Sequence, residues 1–268
     1  MTQLIETFED GIATLTMNRP DARNALTGEM QGLLMEAGHR LAADPAVRLV
    51  VLTGAAGAFC AGGDVKGFVA NNAKGGGDQE GPGFEQKVYG LRAMMEFSRL
   101  LHDMPKPTLA VIPGAAAGAG LSMALACDFR IAANEAKMTT AFSKIGASGD
   151  YGGTYFLQHL VGPAKARELY FTADVFTGAQ AADMGIVNQA VPAADLPAAA
   201  QVMARRLASL PTAAIGHMKK NFNVAEHGTL AQVMDAEAIS MVRTMMTDDH
   251  KAASAAFVEK RAPVFKGR

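Results

Sequence analysis

Asp150 is the one acidic residue between Glu135 and Glu168. It lies in Ile145–Thr154, IGASGDYGGT, among glycines and small residues. A carboxylate in such a tight turn could face a pocket and act as a general base, with desolvation raising its pKa. An aspartate here could equally close an Asx-turn or cap a helix, since its short side chain favours both. Two other stretches bear on the same chemistry. Phe59–Val65 and Pro113–Leu121 each follow a strand-like apolar run with glycine and alanine and then lead toward a helix. Backbone N–H groups at such places lack carbonyl partners and can hold a developing negative charge. Side by side, the two loops could aim two donors at one oxygen, an oxyanion hole in which each donor is worth roughly 2.7–4 kcal/mol in the transition state. The same small residues could instead serve only to let helix and strand pack closely.

Other chemistries fit less well. Gly118-Ala119-Gly120 is followed by Met123 where the dinucleotide pattern needs a small residue, Asp128 comes too early, and no acid lies between Ala136 and Gly149. No Gly-Lys-Ser/Thr is present, so the Walker pattern fails too. The six histidines show no metal-ligand spacing, and no metal is expected. There is no Gly-x-Ser-x-Gly elbow, and Ser122 and Ser143 read as polar contacts. Cys60 and Cys127 read as buried thiols in a reducing compartment. Asp64 reads as a cap or loop brace, and Asp128 as a brace at a strand start.

The elements that must position these residues follow from periodicity. Leu4–Phe8 and Ile12–Met17 flank Asp10-Gly11, a strong hairpin signal. Thr27 is a plausible N-cap for a helix to about Ala43, with Met30, Leu33, Leu34, Ala37 and Leu41 as its stripe. Val47–Thr53 and Thr108–Ile112 are continuous apolar runs, as in a parallel sheet. Asn71–Gly83 reads as a mobile surface loop. A single helix is expected over Phe84–His102, stopped by Pro105 and Pro107, and another over Gly120–Ala126. Strands are expected at Phe129–Ala132, Lys137–Phe142 and Ile186–Val191, with helices at Thr154–Leu160, Pro163–Tyr170 and Gly178–Met184. From Leu196 onward the pattern is helical, at Leu196–Leu207, Thr212–Phe222, Thr229–Met246 and His250–Glu259. These helices carry more apolar residues than a lone tail can bury. The chain therefore divides into residues 1–195, an α/β core with crossover connections, and 196–268, a helical region that packs on the core or on another subunit.

The 268 residues are 49% hydrophobic and 19% charged, enough for a sizeable core. A formal net charge of -1 offers no basic field for nucleic acid or anionic lipid. No secretory segment and no membrane-length apolar run is visible, so a cytoplasmic protein with no membrane or nucleic-acid partner is expected.

The order of several motifs resembles the crotonase family, the enoyl-CoA hydratases and isomerases. NRPDARNAL (Asn18–Leu26), VVLTGAAGAFCAGGDVK (Val50–Lys66) and PGAAAGAGLSMALACDFRIA (Pro113–Ala132) carry the likeness. So do GGTYFLQHLVGPAKARELYFT (Gly152–Thr172), AADMGIVNQAV (Ala181–Val191) and FVEKRAPVFKGR (Phe257–Arg268). The resemblance implies a spiral of ββα repeats, a C-terminal helical trimerisation region, and homotrimers that pair as hexamers. It implies an acyl-CoA thioester substrate acting through an enolate, with coenzyme A entering as part of the substrate and no separate cofactor. By motif position Gly63 and Ala119 supply the oxyanion N–H groups, with Gly118 beside them. Ala22, Arg23, Ala25, Ala61, Gly62, Asp64, Val65 and Lys66 would line the CoA pocket, and Phe257 and Lys260 match a C-terminal pair that contacts CoA.

The departures redirect the expected chemistry. Family hydratases use two glutamates, and this chain has Ser122 and Phe142 at those positions. Asp150 remains, at the position where isomerase-like members, such as the ring-opening isomerase of phenylacetate breakdown, and the chlorobenzoyl-CoA dehalogenase relatives carry an aspartate. The resemblance thus implies double-bond isomerisation by one carboxylate. The alternatives are hydration by a single-acid route, thioester hydrolysis or dehalogenation at Asp150, and an acyl-CoA binder without turnover.

Overall fold

Turn chemistry sets the first hairpin. Strands β1 (Leu4–Glu9) and β2 (Ile12–Met17) pair antiparallel around Asp10 and Gly11, both at positive φ. A computed structural model describes residues 2–64 and 83–268. Val65, Lys66 and most of the expected Asn71–Gly83 loop lie outside the described residues. The apolar strand β3 (Leu49–Gly54) pairs parallel with β2 on one side and with β4 (Thr108–Ile112) on the other. With β6 (Phe129–Ala133) and β9 (Gln189–Val191) they form a six-stranded sheet in the order β1-β2-β3-β4-β6-β9. Every pairing in this sheet after the first hairpin is parallel, as the continuous apolar runs require for strands covered on both faces. A second, short sheet joins β5 (Ala116–Ala117), β7 (Lys137–Thr139) and β8 (Phe176–Thr177) in that order. This is the expected crotonase-like ββα architecture.

Helix α1 (Gly28–Ala43) starts where Thr27 accepts the Met30 N–H at 3.1 Å, and its buried stripe is Met30, Leu34, Ala37 and Leu41. The expected single helix at Phe84–His102 is two, α2 (Phe84–Met94) and α3 (Glu96–Asp103). Helix α4 (Ala119–Leu125) is wholly buried. Helix α5 (Gly153–Thr172) contains both expected helices, joined through a kink at Gly162 and Pro163. Then come α6 (Gly178–Asp183), α7 (Leu196–Ala208), α8 (Thr212–Ala225), α9 (Leu230–Met245) and α10 (Asp248–Val258). Helix α7 packs on β2, β3 and β6, whereas α9 packs on α8.

Two strands are shorter than expected, each for a local reason. The run Lys137–Phe142 ends as a strand at Thr139, whose hydroxyl accepts the Ala141 N–H at 3.1 Å. That side-chain bond competes with the ladder, and Ala141 at φ 60 turns the chain into a 3-10 turn at Phe142–Ile145. In Ile186–Val191 the N–H groups of Ile186 and Val187 go to the Ala181 carbonyl instead of a strand partner.

Asp128 braces a strand start, as expected. Its Oδ2 accepts from the Thr108 N–H at 2.8 Å and from Lys219 Nζ at 2.8 Å. Lys219 comes from α8 with a side chain only 6% exposed, so this bridge ties the C-terminal helices to the sheet. Among the described residues, no helix is long and apolar enough to cross a membrane. Asp128→Ala leaves the Lys219 ammonium without its counter-charge, and should lower stability by about 3 kcal/mol, seen as a lower urea midpoint at unchanged slope.

Candidate active site

The two glycine–alanine loops are stitched together by their backbones. The Phe59 and Cys60 N–H groups both donate to the Ala115 carbonyl, at 3.0 and 3.1 Å, and Ala117 N–H returns a bond to the Cys60 carbonyl at 2.9 Å. Cys60 and Ala116 form an isolated parallel bridge, and Leu26 and Gly63 form another. The approach is so close that a Cβ on Gly120 would sit 2.4 Å from the Cys60 carbonyl oxygen. Gly118 adopts φ 52, ψ -127, a conformation that disfavours any residue with a side chain, and this turns the chain into α4 with Ala119 first. The geometry brings Gly62 against Ala119: a Cβ on Gly62 would lie 3.5 Å from the Ala119 nitrogen. Among the described residues, neither the Gly63 nor the Ala119 N–H has a carbonyl partner. Two neighbouring free amides of this kind can receive one oxygen.

The segment from Arg19 to Leu26 is bound to the first loop. Asn24, fully buried, donates from Nδ2 to the carbonyls of Ala55 and Ala58 at 3.0 and 2.9 Å, and its Oδ1 accepts the Arg19 N–H. The Ala61 N–H donates to the Arg23 carbonyl at 3.0 Å. Arg19 pairs with Asp64 at 3.1 Å and with the Ala25 carbonyl at 2.6 Å, so Asp64 is the expected loop brace. Ala22, Arg23, Ala25, Ala61, Gly62 and Asp64 therefore share one rim of the site. Phe257 and Lys260 stand at the end of α10, with Phe257 85% exposed, and no hydrogen bond among the described residues ties either to that rim. The thiols of Cys60 and Cys127 are fully buried, and desolvation pushes both to about 12, which keeps them protonated and inert.

Asp150 sits at the mouth of α5. The residue capping that helix is Gly152, not Asp150, and no side chain caps it. Asp150 Oδ1 is buried and has no hydrogen-bond partner. Desolvation raises the carboxyl from 3.8 to about 6. The capping and Asx-turn roles open to an aspartate in this turn are thus unfilled, and the group keeps a free lone pair and a basicity suited to proton transfer near neutrality.

Around it the sequence left three residues unremarked. Tyr151, at φ 54 and 3% exposed, buries its hydroxyl against the Gln31 side chain. Tyr170, from the far half of α5, stacks its ring on Phe142 at 6.0 Å and 14°. Its hydroxyl lies against Ser122, and burial raises it to about 12 despite that contact. Phe142 and Ser122 are themselves buried, 9% and 2% exposed. The positions of the two family glutamates thus hold a hydroxyl and an aromatic stack. Asn24 is the third, and it organises the rim from within. Tyr151 adjoins Asp150 in the sequence and was a signal available in principle, whereas Tyr170 lies twenty residues on.

The profile described as Enoyl-CoA hydratase/isomerase matches residues 7–268. The 1,2-epoxyphenylacetyl-CoA isomerase of Escherichia coli is 35% identical over 268 residues, covering all of both chains. A probable enoyl-CoA hydratase of Rhodobacter capsulatus is 36% identical over 97% of this chain and 96% of its own. Among solved structures, a putative enoyl-CoA hydratase from Streptomyces coelicolor A3(2) superposes with a TM-score of 0.91 at 32% identity, over 99% of this chain and 94% of that one.

Asn24→Ala strands the two carbonyls and frees the rim, and should cost about 2–3 kcal/mol of stability. Its signature is a lowered melting temperature.

Proposed function

The chain belongs to the enoyl-CoA hydratase/isomerase family and is an enzyme, and on that premise we propose that it shifts a double bond in an enoyl-CoA thioester with Asp150 as the single base. The Gly63 and Ala119 N–H groups hold the thioester oxygen as it gains charge. Asp150 takes the proton at C2, the electron pair delocalises over the thioester and the neighbouring double bond, and the carboxylic acid returns the proton at C4. Atoms and charge balance with no further reactant. The observation that supports this reading is the desolvated Asp150 carboxylate, whose Oδ1 has no partner among the described residues, in a chain with Ser122 and Phe142 at the positions of the two family glutamates. The Phe142–Tyr170 stack makes that side of the site apolar. Likeness to a relative named as an isomerase points the same way.

Hydration by a single-acid route is the second reading, favoured by the relative named as a probable hydratase. Coenzyme A enters either reaction only as part of the substrate, held at the rim by Ala22–Ala25 and Ala61–Asp64, with Phe257 and Lys260 reaching it from a neighbouring subunit. Leu230, Met234, Ile239, Met241, Val242, Met245 and Met246 on and just beyond α9 are exposed in the single chain, and an apolar face of that size supports trimer contacts. Light scattering should return three or six times 28.0 kDa, and a monomeric mass would remove this assembly.

Incubation with 2-enoyl, 3-enoyl and arylacetyl CoA thioesters in deuterated water separates the two readings. Isomerisation places deuterium at C2 or C4 with the double bond retained, and hydration yields a 3-hydroxyacyl thioester. Asp150→Asn should abolish turnover while thioester binding persists, and full activity in that variant removes Asp150 from the mechanism. The base works ionised, and burial raises its pKa to about 6. Activity should therefore rise with pH through about 6 and level off above it, and a flat profile from pH 4 to 8 contradicts the assignment.

A further inference from the structure

Ser122 stands where the family hydratases carry a glutamate, and the reaction proposed above gives it no task. Its hydrogen bonds suggest one. Ser122 donates twice to a single atom, the Gly118 carbonyl oxygen, from its backbone N–H at 3.0 Å and from its hydroxyl at 3.2 Å. That carbonyl is one end of the Gly118–Ala119 peptide. A trans peptide is planar, with its C=O and N–H pointing in opposite directions. Whatever fixes the Gly118 oxygen therefore fixes the direction of the Ala119 N–H.

The chain needs such a hold at this place. Gly118 caps α4 at φ 52, ψ -127, so its carbonyl accepts the first bond of that helix while its own torsions lie outside helical geometry, and that one bond is all that regular structure gives this peptide. On the other side, the Gly118 N–H is tied to the Thr139 carbonyl at 3.1 Å. The serine hydroxyl adds a second donor to the one the helix would supply in any case. A carbonyl that accepts an extra bond also polarises its own amide, making the N–H a stronger donor.

The serine is itself held. With its proton committed to Gly118, its oxygen is left to accept, and the Tyr170 hydroxyl lies against it. Both oxygens crowd the space where a Cβ on Gly153 would be, Tyr170 Oη at 2.2 Å and Ser122 Oγ at 2.3 Å. Only a glycine at 153 leaves room for the pair to meet. The tyrosine ring is fixed in turn by its stack on Phe142.

We propose that Ser122 is a positioning residue for the oxyanion site, aiming and polarising the Ala119 N–H through the Gly118 carbonyl, with Tyr170 holding the serine in place. The serine then serves the thioester oxygen and not the proton that Asp150 moves. This rests on the oxyanion reading above, and the test separates the two.

The probe is [1-13C]butyryl-CoA, a saturated thioester with the carbonyl but no double bond, followed by isotope-edited infrared difference spectroscopy. In the unaltered protein the bound carbonyl stretch should fall below that of the free thioester. Ser122→Ala removes one oxygen atom and should lose much of that fall. Its kcat on enoyl-CoA should drop about tenfold at nearly constant KM, since the lost interaction strengthens only in the transition state. Tyr170→Phe should move both readouts in the same direction by less. The rise of activity through pH 6 should stay in place in both variants. A carbonyl stretch unchanged by Ser122→Ala overturns the proposal while leaving the oxyanion reading intact. A displaced pH profile with an intact carbonyl shift also overturns it, because the serine would then be acting on Asp150. No fall in the unaltered protein removes the oxyanion reading and this inference with it. Should Ser122→Ala fail to fold by circular dichroism, Tyr170→Phe decides alone: an unmoved stretch and kcat reject the proposal.

Discussion

The site depends on backbone meeting backbone. The 58–63 and 115–120 loops run so close that their peptides bond directly to each other, and a side chain at Gly62 or Gly120 would collide with the facing backbone. The parallel sheet makes this possible, because β3 and β4 are neighbours and their C-terminal ends deliver both loops to one edge. Everything chemical follows from that seam. Two amides are left unpaired beside each other, a buried asparagine anchors the rim to the first loop, and the second loop leads directly into a buried helix whose serine reaches back to the seam. A side chain at Gly120 would push the loops apart and dissolve the arrangement without touching any charged group.

Asp150 belongs to a turn later in the chain, three residues ahead of Gly153, which packs against Ser122. The environment of Asp150 is set by what is missing: among the described residues no cation pairs with it and no backbone amide bonds its carboxylate, and the positions of the two family glutamates are a hydroxyl and a phenyl ring. A carboxylate in water is a weak base, and one that is desolvated without being neutralised is a better one. The site thus combines a place that favours negative charge on a substrate oxygen with a group whose own negative charge is disfavoured. In the proposed reaction, proton abstraction moves charge from the second to the first.

Much of this was legible from residue order. The hairpin around Asp10-Gly11, the continuous apolar strands and the two small-residue loops each have a local physical signature, and the lone acid in a glycine-rich turn was visible by simple spacing. What the sequence hid were partners that arrive from a distance. Tyr170 is twenty residues beyond Asp150 on a helix with little amphipathic character, and only the fold brings its hydroxyl to Ser122. Asn24 sits in a motif whose neighbours suggested a binding rim, yet its side chain faces inward to two carbonyls more than thirty residues away. Strand lengths at Lys137 and Ile186 were overread because single side-chain and cap bonds, not apolar pattern, ended them.

The unpaired carboxylate also carries a cost for the molecule as a whole. Its folded pKa, about 6, lies above the unpaired value of 3.8, so the folded state binds this proton more tightly than the unfolded one. The contribution to stability is full below pH 3.8, fades as pH rises through 6, and is gone at the pH where the carboxylate is ionised and able to act. A neutral residue at position 150 would avoid that cost, so on the proposed reading the aspartate is a place where stability gives way to reactivity.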